Sequence, residues 1–173
     1  MADMSEVLHL HRVLTERPPQ PHCVAAGLRT YQGADDIRLW LEIRQRAFAK
    51  ERMGVGRWTH DDFGREFLAK SWWSAEHMWF AAPRDAASPK EETVGTVTLA
   101  RRGSGPDSRP VIHWLAVLPA WRRKGVGQLL VRTLEIACWE AGDREILLET
   151  HAAWEKAAFL YHALGYVRMG STP

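Results

Sequence analysis

Residues 112–130 read IHWLAVLPAWRRKGVGQLL, and this stretch decides how the rest of the chain is interpreted. It begins with a continuous apolar run, which predicts a buried strand that Pro119 ends. A basic loop with two glycines follows. The apolar residues after the loop recur at helical spacing; they are Val126, Leu129, Leu130, Leu134, Ala137 and Cys138. The stretch therefore predicts a strand, a loop and an amphipathic helix in immediate succession.

A helix that begins directly after such a loop offers a site for an anion. The amide hydrogens of its first turn have no acceptor within the helix, and the helix dipole adds partial positive charge there. Gly125 and Gly127 allow a ligand to approach the backbone closely. Arg122, Arg123 and Lys124 add side-chain charge at the same place. Together these features suit a pyrophosphate.

The pattern Arg122-x-x-Gly125-x-Gly127, directly after an apolar strand, resembles the acetyl-CoA signature of the GNAT N-acetyltransferase superfamily. A second match lies downstream, in the order Ala157, Leu160, Tyr161, Leu164, Gly165 and Tyr166. The resemblance implies an α/β fold with a central mixed sheet and helices on both faces. It also implies that the sheet is splayed between its fourth and fifth strands, where acetyl-CoA enters as co-substrate.

Composition and charge describe one ordinary folded domain. The 173 residues carry a formal net charge of +2 with no long block of one sign, so no nucleic-acid or membrane partner is expected. Cys23 and Cys138 are too few for a disulfide framework, and no metal-ligand spacing surrounds them. No apolar run approaches the ~20 residues of a membrane span, and the N-terminus lacks a signal-peptide core. A cytoplasmic location is the default expectation.

The two ends of the chain give less regular patterns. Residues 1–21 are expected to form an N-terminal tail ending in a proline-rich segment, and both a short helix and disorder remain open for it. Residues 22–173 are expected to form a single domain. Family members usually continue into one more strand after the last one predicted here, at 166–169, and the sequence has no residues left for it. We therefore expect a homodimer or another cover at that sheet edge.

Between the ends, hydrophobic patterns and turn residues predict the remaining elements. Asp35 is the expected cap of a first helix, and Thr59 with Asp62 resembles a capping box for a second, with a break at Gly54 and Gly56 between them. The other strands are expected at 23–31, 77–82, 94–100, 111–118 and 145–150, and the last helix at 153–164. Trp58, Trp72, Trp73 and Trp79 cluster where the family forms its acceptor wall, and both core packing and an apolar acceptor pocket remain open for them.

The resemblance also assigns residues to the cofactor. By resemblance, the backbone of Leu115, Ala116 and Val117 pairs with the pantetheine arm like an added strand, and the Val117 amide donates to the developing oxyanion. The pyrophosphate is expected on the loop and first helical turn, that is on Arg122, Arg123, Lys124, Gly125, Val126, Gly127 and Gln128. Trp154 stands where the family often has an asparagine that contacts the cofactor arm. Since an indole donates a hydrogen bond but accepts none, binding at this point is expected to differ.

Acetyl transfer to an amine also needs an acid and a base. Tyr161 occupies the position of the family's thiolate acid. For the base, Glu149 is favoured because some family members place a glutamate there, and His113, His151 and ordered water remain open. The sequence thus predicts an N-acetyltransferase that moves an acetyl group from acetyl-CoA to a primary amine of a small molecule or peptide, by direct attack in a ternary complex. The alternative is a non-catalytic acyl-CoA-binding sensor or interaction module. No motif identifies the acceptor.

Overall fold

The computed structural model describes residues 7–49, 56–88, 92–152 and 154–170. Its strands and α-helices, in chain order, are β1 (Val7–Val13), β2 (Ala26–Thr30), α1 (Ala34–Ala47), α2 (His60–Phe63), β3 (Met78–Pro83), β4 (Gly95–Arg102), β5 (Arg109–Val117), α3 (Val126–Glu140), β6 (Glu145–His151), α4 (Glu155–Ala163) and β7 (Val167–Arg168). The predicted break at Gly54 and the predicted helix start at Ala153 lie outside the described residues. None of the helices in these ranges is long and apolar enough to cross a membrane.

The seven described strands form one mixed sheet in the order β2-β3-β4-β5-β6-β1-β7. The pair β5 and β6 is parallel, and every other neighbouring pair is antiparallel. The parallel strands are in register at Val111 and Leu147. Beyond this point β5 continues to Val117 and β6 to His151 without further paired residues, so their carboxyl ends diverge. Because β1 precedes the strands expected from the sequence, β5 and β6 are the fourth and fifth of those expected strands. Their divergence is the predicted splay, and the predicted mixed α/β fold is confirmed.

The N-terminal segment differs from its prediction. Val7–Val13 is neither a helix nor a disordered tail but a strand between β6 and β7, with His9 opposite Glu149 and His11 opposite both Leu147 and Val167. The physical reason is an alternating pattern that buries Leu10 completely and leaves the two histidines on the other face. β1 occupies the place of the family's last strand, so the chain itself covers the edge for which a homodimer was predicted. The oligomeric state stays a prediction.

Helix α3 packs against β4 and β5. Gly95 on β4 permits this approach, since an added Cβ would lie 3.1 Å from the Ala116 carbonyl oxygen and 3.2 Å from Leu130 Cδ1. Leu134 and Cys138 of α3 are also fully buried. Cys138 is thus the buried thiol that its position on the apolar face predicts, and burial raises the pKa of this thiol.

A buried ion pair ties β1 to α3. The Glu135 carboxylate is fully buried and accepts hydrogen bonds from Arg12 of β1 and Arg132 of α3, each at 2.7 Å. After β1 the chain runs back along α3, with Arg17 bonded to Glu140 near the end of the helix. The first strand, the following segment and the helix therefore form one connected unit.

Helix α1 begins differently from its prediction, because Asp35 does not cap it. Gly33 occupies the N-cap, and no side chain accepts a hydrogen bond there. Asp36 instead accepts hydrogen bonds from the Gln32 amide, at 2.7 Å, and from both terminal nitrogens of Arg29, at 2.9 and 2.8 Å. The buried aspartate therefore joins the start of α1 to β2.

The capping box of α2 is confirmed. The Thr59 hydroxyl accepts from the Asp62 amide, and the Asp62 carboxylate accepts from the Thr59 amide. A π-helical turn, Gly64–Leu68, directly continues α2. Phe63 and Phe67 are fully buried on one face, as their spacing predicts. Glu66 of the π-helical turn also points toward β5.

Candidate active site

The predicted strand, loop and helix are confirmed as β5, the loop 118–125 and α3. Gly125 is the N-cap residue of α3 with φ +82°, in the left-handed region that favours glycine. No described side chain caps this helix, so the amides of its first turn remain available to an anion. Val126 faces the core, whereas Arg123, Lys124 and Gln128 are exposed beside the turn.

Arg122 has a different place from the one predicted for its side chain. Its Nε donates to the Val117 carbonyl at 3.1 Å and its Nη2 to the Ala47 carbonyl at 2.7 Å. The guanidinium therefore fastens the loop to the ends of β5 and α1. Positive charge facing outward comes from Arg123 and from Lys124, whose Nζ lies 4.8 Å from the centre of a Trp121 ring.

Gly127 has a packing role in addition to the predicted one. A Cβ at this position would lie 3.0 Å from Leu160 Cδ2 of α4, a separation tighter than ordinary contact. The glycine therefore allows α4 to approach the first turn of α3. The start of α3 therefore lies against the middle of α4.

The edge of β5 at Leu115, Ala116 and Val117 faces this opening. These residues belong to a strand that pairs with β4 on one side, and their other side lies beyond the last paired residue of β6. A β-bulge interrupts the β4–β5 register between Thr96 and Thr98, and Trp114 adopts φ +51° there. An extended ligand could therefore pair with this edge of β5, where the Val117 carbonyl already accepts from Arg122.

Trp154 lies at the start of α4, where it faces the end of α1. Its ring stacks on Phe48 with centroids 5.2 Å apart and an interplanar angle of 19°, and it contacts His151 at 5.1 Å. Its indole Nε1 is buried and has no hydrogen-bond partner among the described residues. The stack joins the end of α1 to the start of α4, and it leaves one buried indole donor unused.

His113 bonds to a residue that sequence reasoning missed. Its Nε2 lies 2.8 Å from Oε1 of Glu66, which the π-helical turn presents to β5. The rings of Phe67 and Trp72 pack edge-on against the imidazole at 5.6 and 5.9 Å. The hydrogen bond with His113 is the largest cause that lowers the pKa of the Glu66 carboxyl. An acidic residue three positions after Phe63, on an apolar helix face, is the signal that could have identified it.

Glu149 and His151 flank the same opening with other partners. Oε1 of Glu149 lies 2.7 Å from Nη2 of Arg102 and 3.2 Å from Nδ1 of His9. The side chain is 41% exposed, so it lies at the surface of the sheet. Nδ1 of His151 is buried without a partner among the described residues, and its ring rests on Trp154.

Tyr161 lies on the buried face of α4, as its spacing predicts. Its neighbours on that face, Ala157, Leu160 and Leu164, pack against or within the core. The side chain is 6% exposed, and burial raises the pKa of its phenol. The hydroxyl is therefore protonated at neutral pH and able to donate.

The four tryptophans all pack within or against the core. Trp79 is buried in β3 and Trp73 packs on Tyr31, whereas Trp58 contacts Trp114 and Trp72 contacts His113. The acceptor pocket stays a prediction.

Arg44 is a second residue that sequence reasoning missed. Its guanidinium lies 4.2 Å from the Trp58 ring and 4.8 Å from the Trp114 ring, and it donates to the Gly56 carbonyl at 2.8 Å. Burial lowers the pKa of this guanidinium. A charged residue one turn after Trp40, on the buried face of α1, could have marked it.

A mixed sheet opened between parallel strands, beside a glycine loop at a helix start, is the architecture of an acyl-transferring α/β domain. The model of the Acetyltransferase (GNAT) family matches residues 38–166 of the chain. The chain belongs to this family of acetyltransferases, and the resemblance seen in the sequence is confirmed.

Known proteins similar to the chain include one relative and two solved structures. An uncharacterised protein of Mycobacterium leprae is 30% identical over 136 residues, which are 71% of this chain and 37% of the relative. A GCN5-related N-acetyltransferase from Sphaerobacter thermophilus has a TM-score of 0.74 at 20% identity, over 94% of this chain and 48% of that one. The acetyltransferase AAC(6')-Iy, in complex with the bisubstrate analogue CoA-S-monomethyl-acetylneamine, has a TM-score of 0.60 at 18% identity, over 86% of this chain and 95% of that one. The chain thus spans about half or less of the length of the first two.

Proposed function

We propose that the protein is an N-acetyltransferase that moves the acetyl group of acetyl-CoA to a primary amine of a small molecule or peptide. The observation that carries the proposal is the opening between β5 and β6 directly beside the start of α3. A slot with a free strand edge at one end and an uncapped helix start at the other matches the two parts of acetyl-CoA. The pantetheine arm can pair with backbone amides, and the pyrophosphate is an anion.

Each residue near the slot then has a task. The backbone of Leu115, Ala116 and Val117 would orient the pantetheine arm, and the Val117 amide would donate to the oxyanion as the thioester carbonyl is attacked. Tyr161 would give its proton to the departing thiolate of CoA. The exposed amides and cations from Arg123 to Gln128 would hold the pyrophosphate. Trp154, with only a donor to offer, would bond a carbonyl of the arm in place of the family's asparagine.

The acceptor class rests on the aromatic and acidic lining. Trp58 contacts Trp114 and Trp72 contacts His113 at the β5 bulge, and Glu66 and Glu149 lie on the same face of the sheet as His113. Aromatic faces and carboxylates favour an ammonium-bearing molecule over an anionic one. AAC(6')-Iy was solved with an analogue that joins CoA to an amino sugar, which supports an attack with both substrates bound.

Two measurements test the proposal. Isothermal titration calorimetry should show one site for acetyl-CoA, and release of CoA thiol should depend on added amine across a panel of polyamines, amino sugars, arylalkylamines and peptide N-termini. Binding of acetyl-CoA without turnover of any amine would support the sensor alternative instead. Absence of acetyl-CoA binding would overturn both.

A further inference from the structure

The pair formed by Glu66 and His113 joins two parts of the chain that are distant in sequence. Glu66 lies on the π-helical turn after α2, and His113 lies on β5 immediately before the bulge. Their side chains are 32% and 26% exposed, so the pair is accessible to solvent, and His113 lies on β5 two residues beyond the position that pairs with β6. The packed rings of Phe67 and Trp72 restrict rotation of the imidazole.

The charge state of Glu66 decides which nitrogen of His113 carries a proton. The pKa of Glu66 is lowered, first by the hydrogen bond with His113, so this carboxyl is ionised near neutral pH and can only accept. The proton of a neutral imidazole must therefore sit on Nε2, which leaves the lone pair on Nδ1. No described group bonds to that nitrogen. The pair thus presents one proton acceptor of fixed tautomer at the bulge.

Glu149, the carboxylate that the sequence favours as the base, has different surroundings. Glu149 lies two residues beyond the paired Leu147, and His113 two residues beyond its partner Val111, so the two side chains project from the same side of the sheet. Oε1 of Glu149 already accepts from Arg102 and lies within reach of His9. Nδ1 of His113 has no such competitor. Lys70 is the other charged group whose field reaches the pair, through Glu66.

We infer that Glu66 and His113 act as a unit in the proposed acetyl transfer, with Glu66 as the positioning residue and Nδ1 of His113 as the proton acceptor. The acceptor ammonium gives one proton to Nδ1, and Glu66 stabilises the imidazolium that forms. The free amine then attacks the thioester carbon, and the carbon–sulfur bond breaks. The thiolate takes a proton from Tyr161, the acetylated nitrogen gives its extra proton to that phenolate through water, and the His113 imidazolium releases its proton to solvent.

The experiment compares Glu66→Ala with Glu145→Ala. Glu145 forms a second carboxylate–imidazole pair, with His11, at 2.7 Å and with side-chain exposures of 38% and 22%. Its loss should cause similar local damage without touching the opening. Glu66→Ala should lower kcat by about 10²-fold, the lower range for a general base, with the Kd of acetyl-CoA unchanged. Glu145→Ala should keep the wild-type kcat.

A spectroscopic readout separates positioning from structural damage. The ¹⁵N chemical shifts of His113, at a pH where the ring is neutral, should show the Nε2–H tautomer in the wild type and a mixture of tautomers in Glu66→Ala. His113→Gln should lower kcat at least as much as Glu66→Ala does.

The outcomes distinguish this inference from the proposed function on which it rests. A wild type that turns over an amine, together with an equally active Glu66→Ala or a predominant Nδ1–H tautomer, would overturn the inference alone. Loss of turnover in Glu149→Gln but not in Glu66→Ala would do the same. A wild type that acetylates no amine would remove the proposed function and this step with it.

Discussion

Tyr161 is the residue proposed to give its proton to the departing thiolate. It is buried, and burial raises the pKa of its phenol, so the hydroxyl is protonated at neutral pH but is a weaker acid than an exposed tyrosine. Tyr161→Phe keeps the ring and removes the proton, so we expect kcat to fall by about 10²-fold while acetyl-CoA affinity stays nearly constant. Steady-state kinetics and calorimetry measure the two effects.

The matched control for this substitution is Tyr31→Phe. Tyr31 is also packed among aromatic rings, but it contacts Phe63 and Trp73 rather than α4. Tyr31→Phe should leave kcat unchanged. A Tyr161→Phe enzyme with full kcat would remove Tyr161 from the mechanism.

The residue scale also shows where sequence reasoning succeeds and where it stops. Gly125 could be predicted because the loop pattern places a glycine at the helix start, although its left-handed backbone is seen only in the structure. Glu66 could not be paired with His113 from sequence, since their contact depends on how the π-helical turn lies on β5. The inward turn of Arg122 was hidden for the same reason, because its acceptors lie on two other elements.

At the scale of elements, the contact between the start of α3 and the middle of α4 gives a second prediction. Gly127→Val would place its side chain against Leu160, so we expect α4 to move away from α3 and the Kd for acetyl-CoA to rise by at least about 10-fold. Calorimetry on a variant that keeps the wild-type circular dichroism spectrum is the measurement.

Two further variants distinguish a change in helix packing from direct blockage of the ligand. Gly27→Ala, where an added Cβ meets nothing within 4 Å, should bind acetyl-CoA like the wild type. Gly127→Val combined with Leu160→Ala should recover part of the affinity if helix packing is the cause. No recovery would mean that the valine blocks the ligand directly.

The attachment of β1 to α3 gives the third prediction. Arg12→Ala removes one of the two arginines bonded to the buried Glu135, and we expect a loss of unfolding free energy of up to about 3–5 kcal/mol, the cost of a broken buried pair. Arg17→Ala removes a pair to the same helix whose side chains are 43% and 60% exposed, and such pairs contribute about 0–1 kcal/mol. Urea denaturation compares the two. Equal losses would show that burial does not set the strength of this attachment.

The element scale contains the main error of the sequence interpretation. The residues of β1 satisfy a helical pattern and an alternating pattern equally well, and the prolines after them suggest a tail. Only the register with β6 decides between the patterns, because it places His9 and His11 beside Glu149 and Glu145. The strands and helices from β2 to α4, by contrast, could be predicted because each has a dominant period and clear turn residues at its ends.

At the scale of the whole molecule, the raised pKa values of two buried tyrosines predict that the stability of the fold depends on pH. Burial raises the pKa of Tyr161 and, together with the charge of Glu135, that of Tyr166. In the unfolded chain these phenols ionise near pH 10. As the pH rises, the unfolded chain therefore loses these protons at a lower pH than the folded protein does. The full stabilising effect is present below about pH 10, and above it the unfolding free energy falls by up to about 1.4 kcal/mol per pH unit for each phenol.

Urea denaturation at pH 9, 10 and 11 checks this dependence. Tyr166→Phe removes one of the phenols, so its unfolding free energy should fall less steeply over this range than that of the wild type. Parallel curves for the two proteins would contradict the assignment to Tyr166.

The position of β1 also has a consequence for how the protein is made. A ribosome releases β1 first, yet its two neighbours, β6 and β7, leave last, so both edges of this strand stay open until almost the whole domain has emerged. Pairs so distant along the chain raise the contact order and slow folding, and an open strand can meanwhile enter a second copy. β7 ends where β1 begins, since the Met169 amide bonds to the His9 carbonyl at 2.9 Å. A rearranged chain in which a short loop leads from β7 into β1 would make this pair a local hairpin, and it should refold faster than the natural order.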